Sequence, residues 1–113
     1  MENNQTDLDS IFQALADPTR RAVVQRLGEG SATVSELAAP FQMGLPAFLK
    51  HIAVLEAAGL VTSIKVGRVR TCTLEEDKLE AAAGWFQDQR EQWKARYEQL
   101  DALLDTLKAR KKT

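Results

Sequence analysis

The chain has 113 residues, 44% apolar and 27% charged, which suits one soluble domain with its own core and leaves little room for two. No apolar run approaches the roughly 18 residues of a membrane span, no charged-then-apolar segment of a signal peptide opens the chain, and one cysteine excludes an internal disulfide and fits a reducing cytoplasm. The formal net charge of −1 argues at first against a nucleic-acid partner.

Leu8, Ile11, Phe12 and Leu15 recur at helical spacing and predict a first helix over about residues 6–16. Asp17-Pro18 restarts the chain, with Asp17 as cap and Pro18 in the first turn, where its missing N–H costs nothing. The second helix should bury Ala22, Val23 and Leu27 and stop at Gly28, with Gly30 making the turn that follows. Ser31-Ala32-Thr33 reads as a brief extended piece. Thr33 and Glu36 have the spacing of a capping box, which opens a short third helix burying Val34 and Leu37. Pro40 closes it and Gly44 turns the chain into a fourth helix, about residues 45–58.

Leu45, Phe48, Ile52 and Leu55 form one apolar stripe on this fourth helix. At about 100° per residue, Pro46, Ala47, Lys50, Ala53 and Ala57 share the other face. Solvated helices usually carry Glu, Lys and Gln there, whereas small side chains permit close approach. The expectation is a reading helix that lies in the major groove of DNA, the second member of a helix-turn-helix.

After Gly59 the period changes to two. Val61–Val66 and Val69–Leu74 alternate and are β-branched, with Gly67-Arg68 between them, so residues 61–74 should form a β-hairpin wing. Lys65, Arg68 and Arg70 flank its tip and could meet the backbone or the minor groove. From about residue 76 to residue 110 the chain reads as one long helix. Phe86, Arg90, Trp93, Tyr97, Leu100, Leu104 and Leu107 step by four and three, a heptad seam broken only by Arg90. Such a seam needs a partner, most simply the same helix of a second copy, with Trp85 and Trp93 packing there. Lys108, Arg110, Lys111 and Lys112 make a basic tail.

Charge follows this layout. Residues 1–17 hold Glu2, Asp7, Asp9 and Asp17 and no base, a net −4. Residues 18–74 hold Arg20, Arg21, Arg26, Lys50, Lys65, Arg68 and Arg70 against Glu29, Glu36 and Glu56, a net +4. The basic excess is thus confined to the segment with the reading helix and the wing, where local field outweighs the total.

The segments Ala14–Arg21, Val34–Ala38, Pro46–Val61 and the tip Gly67-Arg68 together resemble the ArsR (ArsR/SmtB-like) family of bacterial winged-helix regulators, over about Ile11 to Leu107. The resemblance implies a mainly α, small-β winged helix-turn-helix that forms a homodimer through its first and last helices. It also implies repression from a palindromic operator, released in many members by a ligand or by thiol chemistry. Where the family usually has serine before the reading helix and within it, this chain has Gly44 and Leu49. Leu49 loses a hydroxyl contact but offers an apolar one to a thymine methyl.

The family's metal sensors carry cysteines on the third helix or Asp/His pairs on the last. Here the third helix has no cysteine, and the only histidine is His51, so no metal site and no cofactor are expected. Cys72 alternates with Leu74 on a strand and should be packed. His51 either braces its helix or donates to a phosphate.

The expectation is therefore a single domain over residues 1–113, with a DNA-binding core at about 6–75 and a dimerisation helix at about 76–110. Candidate DNA-binding residues are Gln42, Leu45, Pro46, Ala47, Leu49, Lys50 and His51, with Arg20 and Arg21 for phosphates and Lys65, Arg68 and Arg70 on the wing. Candidate dimerisation residues are Leu8, Ile11, Phe12, Phe86, Trp93, Tyr97, Leu100, Leu104 and Leu107. Two alternatives stay open: a winged-helix protein-interaction module, and a constitutive or autoregulatory DNA binder without an inducer. With one His and one Cys far apart, no catalytic constellation emerges, so no enzyme is expected. The operator and any small-molecule effector are not legible.

Overall fold

A computed structural model describes residues 4–111, with side chains for residues 8–110. The elements run α1 (Asn4–Ala14), α2 (Pro18–Leu27), β1 (Ala32–Thr33), α3 (Val34–Ala38), α4 (Leu45–Ala57), β2 (Val61–Val66), β3 (Val69–Leu74) and α5 (Glu76–Lys111). This is a mainly helical winged helix-turn-helix with a small antiparallel sheet and a long C-terminal helix. The chain divides into two compact units, residues 1–82 and 83–113.

Local chemistry sets the helix boundaries in the first unit. Asp17 caps α2 through Oδ2, which accepts from the Arg20 N–H at 3.1 Å. Both arms of the box at α3 are made: Glu36 N–H donates to Thr33 Oγ1 at 3.1 Å, and Thr33 N–H donates to Glu36 Oε1 at 3.3 Å. Gly44 provides no side-chain cap for α4. That helix ends in a Schellman motif: the Leu60 N–H reaches back to Leu55 O and the Gly59 N–H to Glu56 O. Gly59 sits at φ +77°, a left-handed backbone conformation that favours glycine.

The wing is a hairpin with a two-residue turn. Gly67 has φ +62° and Arg68 does not take positive φ, as a II′ turn requires. Its register pairs Ser63 with Cys72 and Lys65 with Arg70, so these four share a face. The brief extended piece is more than a connection. Ala32 and Thr33 pair with Cys72 and Thr71, giving a three-stranded sheet of order β1-β3-β2. Ser31 Oγ and Thr73 Oγ1, 2.8 Å apart, close its edge.

The core gathers Ile11, Ala14, Val23, Leu27, Leu37, Phe48, Ile52, Leu55, Leu60, Val61, Cys72 and Ala82. Phe41 packs against Phe48, with ring centroids 5.7 Å apart. Three expectations are corrected here. Leu45 is 54% exposed and does not join the stripe, because at the first residue of α4 it lies ahead of the core that receives Phe48. Ala22 is exposed, since Val23 and Leu27, four apart, define the buried line of α2. Ile11 is 0% exposed within this chain and has no surface to offer a second copy.

In the second unit, residues 83–111 are helix throughout. The seam residues Phe86, Trp93, Tyr97, Leu100, Leu104 and Leu107 are between 44% and 61% exposed, and Leu103 is exposed beside them. Trp85 and Phe86 meet edge to face, and the Arg96 guanidinium lies 5.3 Å from the Trp93 ring centre. Of the expected basic tail, Lys112 lies outside the described residues, as does the Lys111 side chain.

Candidate nucleic-acid interface

The start of α3, the first half of α4 and the wing surround a cleft of about 690 Å³. Val34, Leu45, Leu49 and Val69 supply apolar lining, and Thr33, Ser35 and Ser63 supply hydroxyls. Lys65, Arg68 and Arg70 line its wing side. The fold thus brings the capping-box turn, α4 and the wing, distant in sequence, to one concave surface.

The expected DNA-binding residues fall into two groups. Gln42, Leu45, Pro46, Ala47 and Lys50 are exposed on or just before α4, Leu49 is half-buried in the cleft, and Lys65 and Arg68 are exposed on the wing. Lys50, Lys65 and Arg68 make no ion pair among the described residues. The second group is engaged with the protein itself. Arg20 donates from Nε to Ala14 O at 2.6 Å and from Nη2 to Gln13 O at 3.2 Å, closing the end of α1 onto α2. Its Nη1 lies 3.2 Å from His51 Nδ1, and Asp17 Oδ2 lies 3.7 Å from the same ring nitrogen. Arg21, although exposed, donates to Leu15 O at 2.8 Å.

Arg70 is also turned inward, where the sequence suggested a free wing cation. Its Nη2 forms an ion pair with Glu56 Oε1, its Nε donates to Ser63 Oγ at 3.0 Å, and Ser63 Oγ donates to Glu56 Oε2 at 2.8 Å. The spacing of residues could not reveal this triangle, which joins the last turn of α4 to both wing strands. One signal was available: a glutamate in the last turn of a helix opposes the macrodipole, which suggests a compensating cation. The lining by Thr33, Val34 and Ser35 was likewise missed, because only the pairing of β1 with β3 brings them to the wing.

Two groups titrate away from their ordinary values. The backbone N–H of Arg20 holds the Asp17 carboxyl below the usual range. Desolvation partly opposes this, and the positive charges of His51 and Arg20 reinforce it. Burial pushes the Cys72 thiol up against the pull of nearby Arg70, so it stays protonated and packed. Among the described residues, no three His, Cys, Asp or Glu side chains gather as metal ligands, and no helix is long and apolar enough to cross a membrane.

Residues 15–64 match a family model described as a helix-turn-helix domain. The HTH-type transcriptional regulator Rv2034 of Mycobacterium tuberculosis is 42% identical over 73 residues, 65% of this chain and 68% of that protein. The transcriptional repressor SdpR of Bacillus subtilis is 26% identical over 79 residues, 70% of this chain and 88% of that protein. Among solved structures, an ArsR family transcriptional regulator shares 53% identity, with a TM-score of 0.78 over 83% of this chain and 97% of that one.

Proposed function

Since this chain belongs to the ArsR family of helix-turn-helix transcriptional regulators, we propose that it is a homodimeric repressor that seats α4 in the major groove and its wing on the flanking backbone or minor groove. One observation carries the reading. The outward face of α4 offers Pro46, Ala47 and Lys50, small or basic, and the cleft beside it ends in Lys65 and Arg68, exposed and without ion pairs among the described residues. Small side chains let the helix axis approach base edges, and unpaired cations draw the duplex in by releasing counterions.

Within this reading Lys50 and Leu49 meet bases, Gln42, Leu45, Pro46 and Ala47 line the groove wall, and Lys65 and Arg68 hold phosphates. The exposed seam of α5 supports pairing with a second copy, which would set two reading helices about 34 Å apart on a two-fold site. The relative named a repressor supports repression as the outcome. The domain boundaries follow the same logic: residues up to about 75 bind DNA, and the rest of α5 pairs.

Selection of bound fragments from random duplexes, followed by gel-shift titration across salt, tests this. A two-fold repeat is expected, with weaker binding and relaxed sequence preference for Lys50→Ala, and weaker binding with a shallower salt dependence for Arg68→Ala. Unchanged affinity in both variants, or a footprint without two-fold symmetry, defeats the reading.

A further inference from the structure

The Glu56–Ser63–Arg70 triangle has no part in the core, yet it takes up one of three cations on the wing side of the cleft. Arg70 stands directly across from Lys65 in the β2–β3 register, an arrangement of like charges that disfavours the pairing by itself. Glu56 offsets that repulsion through Oε1, while its Oε2 accepts from the Ser63 hydroxyl. It does this from the last turn of α4, where a carboxylate is at odds with the helix dipole. The side chains of Arg70 and Glu56 remain 33% and 29% exposed, so the arginine is held at the surface and not entombed.

We propose that Glu56 is a specificity-determining residue: it sequesters Arg70 from the DNA backbone and, through Ser63, fixes the wing against α4. The proposal rests on the DNA-binding reading above. A cation released to a phosphate adds affinity for every duplex alike, because phosphates carry no sequence information. Holding Arg70 back lowers binding to unrelated DNA and leaves discrimination to α4. The clamp also limits the offset between reading helix and wing tip, so that both engage only where groove and backbone fit together.

The full chain is compared with Glu56→Gln, Arg70→Gln and the double variant, on the selected operator duplex and on a scrambled duplex of equal length. The readout is the slope of log affinity against log salt. Glu56→Gln should steepen the slope by about 0.9 for each arginine freed, and should tighten scrambled-duplex binding several-fold, so that the operator preference falls. Arg70→Gln should leave the wild-type slope unchanged, and the double variant should return to it. Ser63→Ala, a milder lesion with little risk to folding, should shift the slope less and in the same direction as Glu56→Gln.

A slope that falls on Arg70→Gln with Glu56 in place would mean that Arg70 already touches phosphate, and the proposal fails. It fails equally if Glu56→Gln and Ser63→Ala both leave slope and preference unchanged while wild-type protein binds the operator. Wild-type protein that binds neither duplex overturns the DNA-binding reading itself, and the sequestration with it.

Discussion

Arg20 Nη1 lies 3.2 Å from His51 Nδ1, which links α2 to the middle of α4. The same guanidinium donates to the carbonyls of Ala14 and Gln13. One side chain therefore ties the end of α1, the start of α2 and the face of α4.

Arg20→Ala should accordingly act on stability before it acts on DNA. Charge-assisted hydrogen bonds of this kind contribute about 1.5–3 kcal/mol, so urea denaturation should show a loss of that order. Binding measured where the variant is fully folded should keep the wild-type salt slope. A slope reduced by about one, with unchanged stability, would instead make Arg20 a phosphate ligand.

Asp17 gives the acid limb of stability. Its folded pKa is depressed, first by the Arg20 backbone N–H and further by the charges of His51 and Arg20. A depressed carboxylate contributes stability that is complete above its unfolded value and is lost as pH falls through the lower folded value. The window therefore lies below about pH 4. Asp17→Asn keeps a capping side chain but does not titrate, so urea midpoints should fall less steeply below about pH 4 than those of the wild type. Parallel acid limbs in the two proteins would contradict this.

Leu45 and Phe48 stand three residues apart on α4 with opposite duties. Phe48 is fully buried, and Phe48→Ala should cost about 3–5 kcal/mol in denaturant unfolding. Leu45, exposed at the mouth of the cleft, should cost no more than about 0.5 kcal/mol when replaced by alanine. Operator affinity should nevertheless fall for Leu45→Ala, as a gel shift on the selected duplex would register.

The apolar seam of α5 is tested by charge. Leu100→Glu with Leu104→Glu should yield a smaller species in sedimentation, with the core around Phe48 and Ile52 kept, as amide hydrogen exchange would show. Operator binding should weaken about a hundredfold or more, because two tethered reading helices gain from effective concentration and a single one does not. A double variant that sediments and binds like the wild type would place the pairing surface elsewhere.

Much of this protein was legible residue by residue. The capping box at Thr33 and Glu36, the Gly59 stop, the hairpin turn at Gly67-Arg68 and the heptad steps of α5 are local patterns, decided by dihedral preference, capping and periodicity within a few residues. A short extended piece such as Ala32-Thr33 has no such pattern; only its pairing with Cys72 and Thr71 makes it a strand. The same limit applies to charge. In sequence Arg20, Arg68 and Arg70 look alike, three arginines in one basic stretch. In the fold Arg20 is taken up by Ala14 and His51, and Arg70 by Ser63 and Glu56, while Arg68 makes no ion pair among the described residues. Composition and spacing determined the family of shapes and the basic middle of the chain. Which cations remain available to DNA depends on partners up to 31 positions away, and three-dimensional packing alone brings those together.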